Sequence, residues 1–266
     1  MSDFEIETRL TSNAQGYWKG HVAPDWNIGN NPNGGYLSSI ALRAIMELAP
    51  QHPDPLTVTT HYLRPGISDE ECTVSTELLR SGRTMSTVRA TLEQQGKPRV
   101  VVLAGLGDLT KVHNDSQSLV IPAPDMPPPD RCVQRSGEEQ GVELPLLSRL
   151  DIRLHPDEAL AGMAGRARVS GWIRFVDGHP PDSGSAIVFA DTFPPSSFGL
   201  LGMVGWVPTI ELTVHVRRRP VPGWVLGQFE TRDLEAGRMV EDGLLWDQDG
   251  NLIAQSRQLA LVVNRE

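Results

Sequence analysis

The sequence predicts an α+β protein made of two tandem copies of one unit, each a helix plus a long antiparallel sheet. Three observations lead there. A well-marked helix follows a Gly-Gly turn in the first half. The residues after it carry strand signals only, divided by short turns. The second half then repeats the landmarks of the first: Pro65 and Pro220, Gly82 and Gly237, and Arg83 and Arg238 are each 155 residues apart, and Gly96 and Gly250 are 154 apart. Several matches in one order at one spacing indicate an internal duplication.

The elements follow in order. Short strand-like pieces lie around 17–22. The cluster NNPNGGY at 30–36 is a turn, and it leads into LSSIALRAIMELAP at 37–50. There Leu37, Ile40, Ala41, Ala44, Ile45 and Leu48 fall on one helical face, and Pro50 ends the helix. LTVTTHYL at 56–63 is rich in β-branched residues, and Cys72–Arg80 alternates. Ser81-Gly82-Arg83 turns the chain into a strand over Met85–Gln94, Gln95-Gly96 turns it again, and Arg99–Leu106 is strongly apolar. From Lys111 to about Glu143 the chain is polar and broken by Pro, as in IPAPDMPPPD, which excludes a central strand. The expected organisation is therefore a first repeat over 1–110, a Pro-rich linker over 111–145 and a second repeat over 146–266. In the second repeat the helix is expected near 182–193, before Pro194-Pro195. LTVHVRRRPVPG answers LTVTTHYLRPG, and LWDQDGNLIAQSRQLAL answers LEQQGKPRVVVLAGL.

Composition narrows the function. With 24 Lys+Arg against 33 Asp+Glu the net charge is -9, a poor match to a nucleic-acid backbone. Cys72 and Cys132 form no C-x-x-C pair and no disulfide framework, so a reducing compartment is expected. The N-terminus MSDFEIETRL lacks the apolar core of a signal peptide, and no apolar run has the length of a membrane span. A cytoplasmic protein without membrane or nucleic-acid partners is expected. Phosphate-loop, dinucleotide, nucleophile-elbow and H-E-x-x-H motifs are all missing from the sequence, and the seven His are scattered. Neither a metal nor a cofactor is expected.

Differences between the copies point to candidate functional residues. Gln258, in the last apolar strand, answers Ala104; a buried amide needs hydrogen-bond partners, whereas an outward one is only solvated. Asp191 ends an apolar stretch in IVFADTFPP, either as a solvated helix-end residue or as a buried acceptor able to orient a water. Thr209 follows Pro208 at a strand start, where its hydroxyl either is incidental or shares that water.

The order NGGY–helix, THYLRPG, SGRT, ADTFPPS, PTIELTVHVRRRP and DQDGNLIAQSRQ resembles the acyl-CoA thioesterase II family, across most of the chain. The resemblance implies a double hotdog fold, each hotdog a long helix wrapped by an antiparallel sheet, and hydrolysis of acyl-CoA to a fatty acid and CoA. It also implies a catalytic Asp, Thr and Gln in the second hotdog, which fall on Asp191, Thr209 and Gln258. Glu211 stands where the family commonly has an Asp, and the segment from Thr209 to Pro220 is one residue longer than the family pattern. In the implied reaction Asp191 is the base or water-orienting acceptor, and Thr209 and Gln258 fix the water. Gly34 and Gly35 are candidate amide donors to the thioester carbonyl, or serve only a tight turn. Arg64, Arg83 and the run Arg217–Arg219 are candidate partners for the CoA phosphates. Trp26 and Phe198 are candidate walls for the acyl chain. A non-catalytic acyl-CoA or lipid binder is the alternative, a carrier-protein thioester is compatible with the same residues, and a homo-oligomer is possible.

Overall fold

The structure is a computed structural model, and it describes residues 1–12, 17–111, 119–138, 141–203 and 205–264. Among the described residues thirteen strands form one sheet. In chain order these are β1 (Thr11–Ser12), β2 (Tyr17–Val22), β3 (Asp54–Tyr62), β4 (Glu70–Ser81), β5 (Ser86–Gln94), β6 (Lys97–Gly107), β7 (Val133–Gln134), β8 (Leu150–Leu154), β9 (Arg168–Phe175), β10 (Thr209–Val216), β11 (Val225–Glu235), β12 (Arg238–Asp247) and β13 (Leu252–Leu261). Across the sheet they run β1-β2-β4-β5-β6-β3-β10-β13-β12-β11-β9-β8-β7. Every pairing is antiparallel.

The order reads outward from a centre. The two copies meet at β3 and β10, paired from Glu211 opposite His61 to His215 opposite Thr57. On one side follow β6, β5 and β4, and on the other their counterparts β13, β12 and β11. Joining the copies there removes two edges that would otherwise be exposed. The register also matches in detail. A bulge skips Leu56 in β3 and another skips Ile210 in β10.

After the short N-terminal helix α1 (Asp3–Glu7), the helix α2 (Gly34–Leu48) starts at Asn33, whose side chain accepts from the Tyr36 amide at 2.9 Å. Its buried stripe includes Leu37, Ile40, Ala41, Ala44 and Ile45, packed in one core with Val58, Val88, Val102 and Ala104 of the sheet. The first copy thus has the helix that its periodicity predicts, wrapped by strands as the family resemblance implies. The second copy departs from expectation. Its helix α3 (Ser185–Phe189) has five residues instead of spanning 182–193. The physical reason lies in its flanks. Asp182 accepts from Ser185 N and Ser185 Oγ, both at 2.7 Å, which fixes a start at Ser185. At the other end the last turn tightens, with Asp191 N donating to Val188 O at 3.2 Å, and Pro194-Pro195 offers no donors to continue. A second short helix, α4 (Phe198–Leu201), follows.

The Pro-rich stretch lies across the outer face of the second copy's strands. Trp172 Nε1 donates to Pro127 O at 2.8 Å and Trp246 Nε1 to Ile121 O at 2.9 Å. Ala123 and Met126 cover Leu226, Trp246 and Leu252. A segment poor in N–H groups still carries carbonyl acceptors, and two indoles use them.

Candidate active site

The N-terminus of α2 meets the turn after α3, and there the backbones nearly touch. A Cβ on Gly35 would lie 3.0 Å from Ile187 O and 3.0 Å from Val188 Cα; one on Gly34 would lie 2.7 Å from the Tyr62 ring. Only glycines allow this approach, and it brings a carboxylate to a helix N-terminus. Asp191 Oδ2 accepts from Gly35 N at 2.7 Å and from Asn33 Nδ2 at 3.1 Å, while Asn33 Nδ2 also reaches Asp191 O at 2.8 Å. The Gly35 amide, one of the two proposed donors for a substrate carbonyl, is therefore spent on Asp191.

Burial raises the Asp191 carboxyl from its ordinary value of 3.8 to about 7. The Gly35 amide pulls the other way, and the carboxyl group of Glu241 adds to the rise. A carboxylate near pH 7 is matched to proton transfer in neutral water.

Asp191 opens onto a cavity of about 460 Å³. Both copies line it: Asn33, Gly34, Tyr62 and Arg64 from the first, and Asp191, Thr209, Glu241 and Gln258 from the second. The bulge at Ile210 matters here. It sets Thr209 opposite Ala260, two residues from Gln258 on the same face of β13. Thr209 Oγ1 donates to Gln258 Oε1 at 3.1 Å, and Gln258 Nε2 donates to Glu241 Oε1 at 2.9 Å. Ser196 N donates to the other Glu241 oxygen at 2.8 Å, and the Ser196 and Thr231 hydroxyls bond at 2.8 Å. Burial raises the Glu241 carboxyl as well.

All three residues singled out in the second half thus reach one cavity. Other candidates separate. Arg64 is exposed at its wall. Arg83 is not part of it: the β4–β5 turn sits by the C-terminal end of α2, where the Arg83 carbonyl lies 3.4 Å from His52 Nε2. The cavity is at the opposite end of that helix, about 22 Å away. Arg219 is engaged elsewhere, with both nitrogens 2.8 Å from Asp54. Phe198 lines the cavity, whereas Trp26 is fully buried, stacked on Tyr36 at 5.0 Å and donating to Glu7 at 2.7 Å. We expect Arg64→Ala to raise the KM for a phosphate-bearing substrate of this cavity several-fold and Arg83→Ala to leave it within about twofold. Steady-state kinetics at low salt checks both; equal effects would remove the distinction.

Sequence reasoning missed Glu241. Aligning the copies on Gly82 and Gly237 sets Glu241 against Ser86. The turns differ, however: Ser81 pairs with Ser86 across four residues, and Glu235 with Arg238 across two. The bulges in the β5–β6 and β12–β13 hairpins give the true register. Four residues from each bulge lie Val88 and Ala104 in the first copy, and Glu241 and Gln258 in the second.

Comparison with known proteins shows the family and the fold. Residues 22–108 match the model of the acyl-CoA thioesterase N-terminal domain, and residues 126–262 match that of the acyl-CoA thioesterase C-terminal domain. The chain belongs to the acyl-CoA thioesterase family. Among its relatives is an uncharacterized protein of Mycobacterium tuberculosis, 26% identical over 92% of this chain and 90% of the relative. A provisional thioesterase II from Thermobifida fusca superposes with a TM-score of 0.88 at 26% identity, over 99% of this chain and 98% of that one. The acyl-CoA thioesterase II TesB2 of Mycobacterium marinum shares the fold, with a TM-score of 0.78 at 19% identity over 99% of both chains. Within this thioesterase family the chain has the double hotdog fold, with a long helix in the first copy and short helices in its place in the second.

Proposed function

We propose that this thioesterase-family protein hydrolyses an acyl-CoA to a carboxylic acid and CoA, with a water activated by Asp191. The observation that carries the reading is Asp191 itself. A carboxyl raised to about 7 faces a cavity that also holds the Thr209–Gln258 pair.

The steps follow from the hydrogen bonds. Thr209 commits its proton to Gln258, so its oxygen is left to accept one proton of the water. Asp191 accepts the other. As the water oxygen bonds to the thioester carbon, one proton passes to Asp191. The C–S bond then breaks, and the departing thiolate takes that proton, which restores the carboxylate. Holding the water between fixed acceptors lowers the entropy cost of attack. The acyl chain lies against Leu37, Phe193, Phe198 and Phe229, and Arg64 meets a CoA phosphate.

Purified protein mixed with acyl-CoAs from acetyl to palmitoyl and a thiol-reactive dye tests the reading. Turnover on at least one chain length is expected. A base must be ionised to act, so kcat rises with pH and reaches half its plateau near pH 7. A half-maximum near pH 4 would exclude Asp191 as the raised base. Binding of every acyl-CoA without thiol release would leave a non-catalytic binder.

A further inference from the structure

We propose that Glu241 is a positioning residue of this site, whose carboxylate locks the Gln258 amide with its nitrogen inward and its oxygen on Thr209. The proposal rests on the hydrolytic reading above.

An amide can face either way unless a neighbour distinguishes its ends. When ionised, the form that the Ser196 amide on its other oxygen favours, the Glu241 carboxylate only accepts, and the group 2.9 Å from its Oε1 is then the Gln258 nitrogen. The amide oxygen is thereby turned to Thr209, whose hydroxyl must donate to it. The Thr209 lone pairs then stay available for water. With Glu241 gone the amide is free to turn over, and Thr209 loses the acceptor that orients its proton.

Glu241 is itself held. Its second oxygen takes the Ser196 amide, and Ser196 is tied to Thr231 across β11. The Ser196 amide, itself braced through Thr231, fixes the carboxylate before substrate arrives, as positioning requires.

The other copy supplies a comparison. Val88 and Ala104 fill the equivalent rung and are fully buried. The fold therefore needs no polar group there. Burying a carboxylate is unfavourable compared with an apolar side chain. Both members of the rung are polar in the second copy, where they line the cavity and bond to each other.

Charged groups surround Glu241 on several sides. Asp191 lies across the cavity wall, and its carboxyl is raised in part by Glu241. Asp242 follows on the same strand, 3.6 Å from Arg257 on the outer face. Arg135 is buried on the same wall and donates to the Thr192 carbonyl. The β11 and β13 neighbours, Thr231 and Gln258, are neutral.

Glu241→Gln keeps the size but leaves one acceptor oxygen for two donors. We expect kcat to fall about tenfold with KM within about twofold. The acid limb of the kcat profile should move to lower pH, because a negative neighbour of Asp191 is gone. In a Gln258→Ala background the same change should cost nothing further, since the residue acts through Gln258. Two readouts need no turnover: the Gln258 side-chain amide resonances shift in Glu241→Gln, and the Asp191 carboxyl carbon titrates at lower pH. A folded Glu241→Gln protein with full kcat overturns the proposal. So do a full additional loss in the Gln258→Ala background and unmoved Gln258 amide resonances. A wild-type protein that releases no thiol, with shifted amide resonances in Glu241→Gln, would instead overturn the hydrolytic reading and keep the positioning.

Discussion

Asp191→Asn should lose roughly 10²–10⁴-fold in kcat, and at pH 8 the same protein should be more stable than the wild type. The two effects have one origin. Burial raises the folded carboxyl to about 7, against an ordinary value of 3.8. Between those values the folded state holds a proton that the unfolded state releases. Stability therefore falls as pH rises from about 4, and the loss is complete once pH passes about 7. Asn never ionises and avoids that loss, while its amide oxygen can still accept from Gly35. The gain at pH 8 should be roughly 2–4 kcal/mol, a rise of several degrees in Tm, and it should vanish at pH 4. Thermal melts at the two pH values, beside a thiol-release assay, check it. A Tm difference that is the same at both would show that Asp191 is not raised, and retained turnover would remove it as the base.

The second large effect concerns a residue with no side chain. Gly35→Ala places a methyl 3.0 Å from Ile187 O, 3.0 Å from Val188 Cα and 2.9 Å from Asp191 Cβ. Two of those atoms are backbone, so no rotamer change relieves the contact. We expect a loss of about 3 kcal/mol, with a Tm lower by roughly 6–12 °C. The displaced turn also carries Asp191 away from the α2 N-terminus, so kcat should drop more than tenfold in the protein that remains folded. Calorimetry and kinetics on one preparation separate the two. A variant that melts and turns over like the wild type would mean that the helices are not in contact there.

Much of this was legible in the sequence, for identifiable reasons. The 37–48 periodicity and the turns at Gly82, Gly96, Gly237 and Gly250 are local features, and the structure has its helix and hairpins there. Comparing the copies drew attention to Gln258 because the Gly96–Gly250 spacing is the one the sheet keeps as far as Ala104 and Gln258. Glu241 escaped because its nearest landmark is a turn that is two residues shorter in the second copy. A landmark next to a loop gives a false register; one next to a hairpin bulge does not. The length of α3 was also hidden. Nothing apolar stops it at Phe189; its last turn tightens there, with Asp191 N donating to Val188 O at 3.2 Å, and Pro194-Pro195 follows. The placement of Gly35 depends on a contact 156 residues away, beyond the reach of any local pattern. Arg83 and Arg219 carry the right charge at the wrong ends of the molecule, and charge alone does not locate them.

The central β3–β10 pairing has an evolutionary consequence. If the two halves were separate, identical chains meeting at that seam, any change to one would appear in both. A Glu and a Gln placed on the rung of Val88 and Ala104 would then burden two cores to furnish one chamber. Fusion into a single chain breaks that constraint. One half can keep an unaltered aliphatic interior and the long helix that anchors the assembly, while the other is free to accept groups that weaken it. Chemistry and robustness can then be selected separately, in two halves that share one continuous sheet.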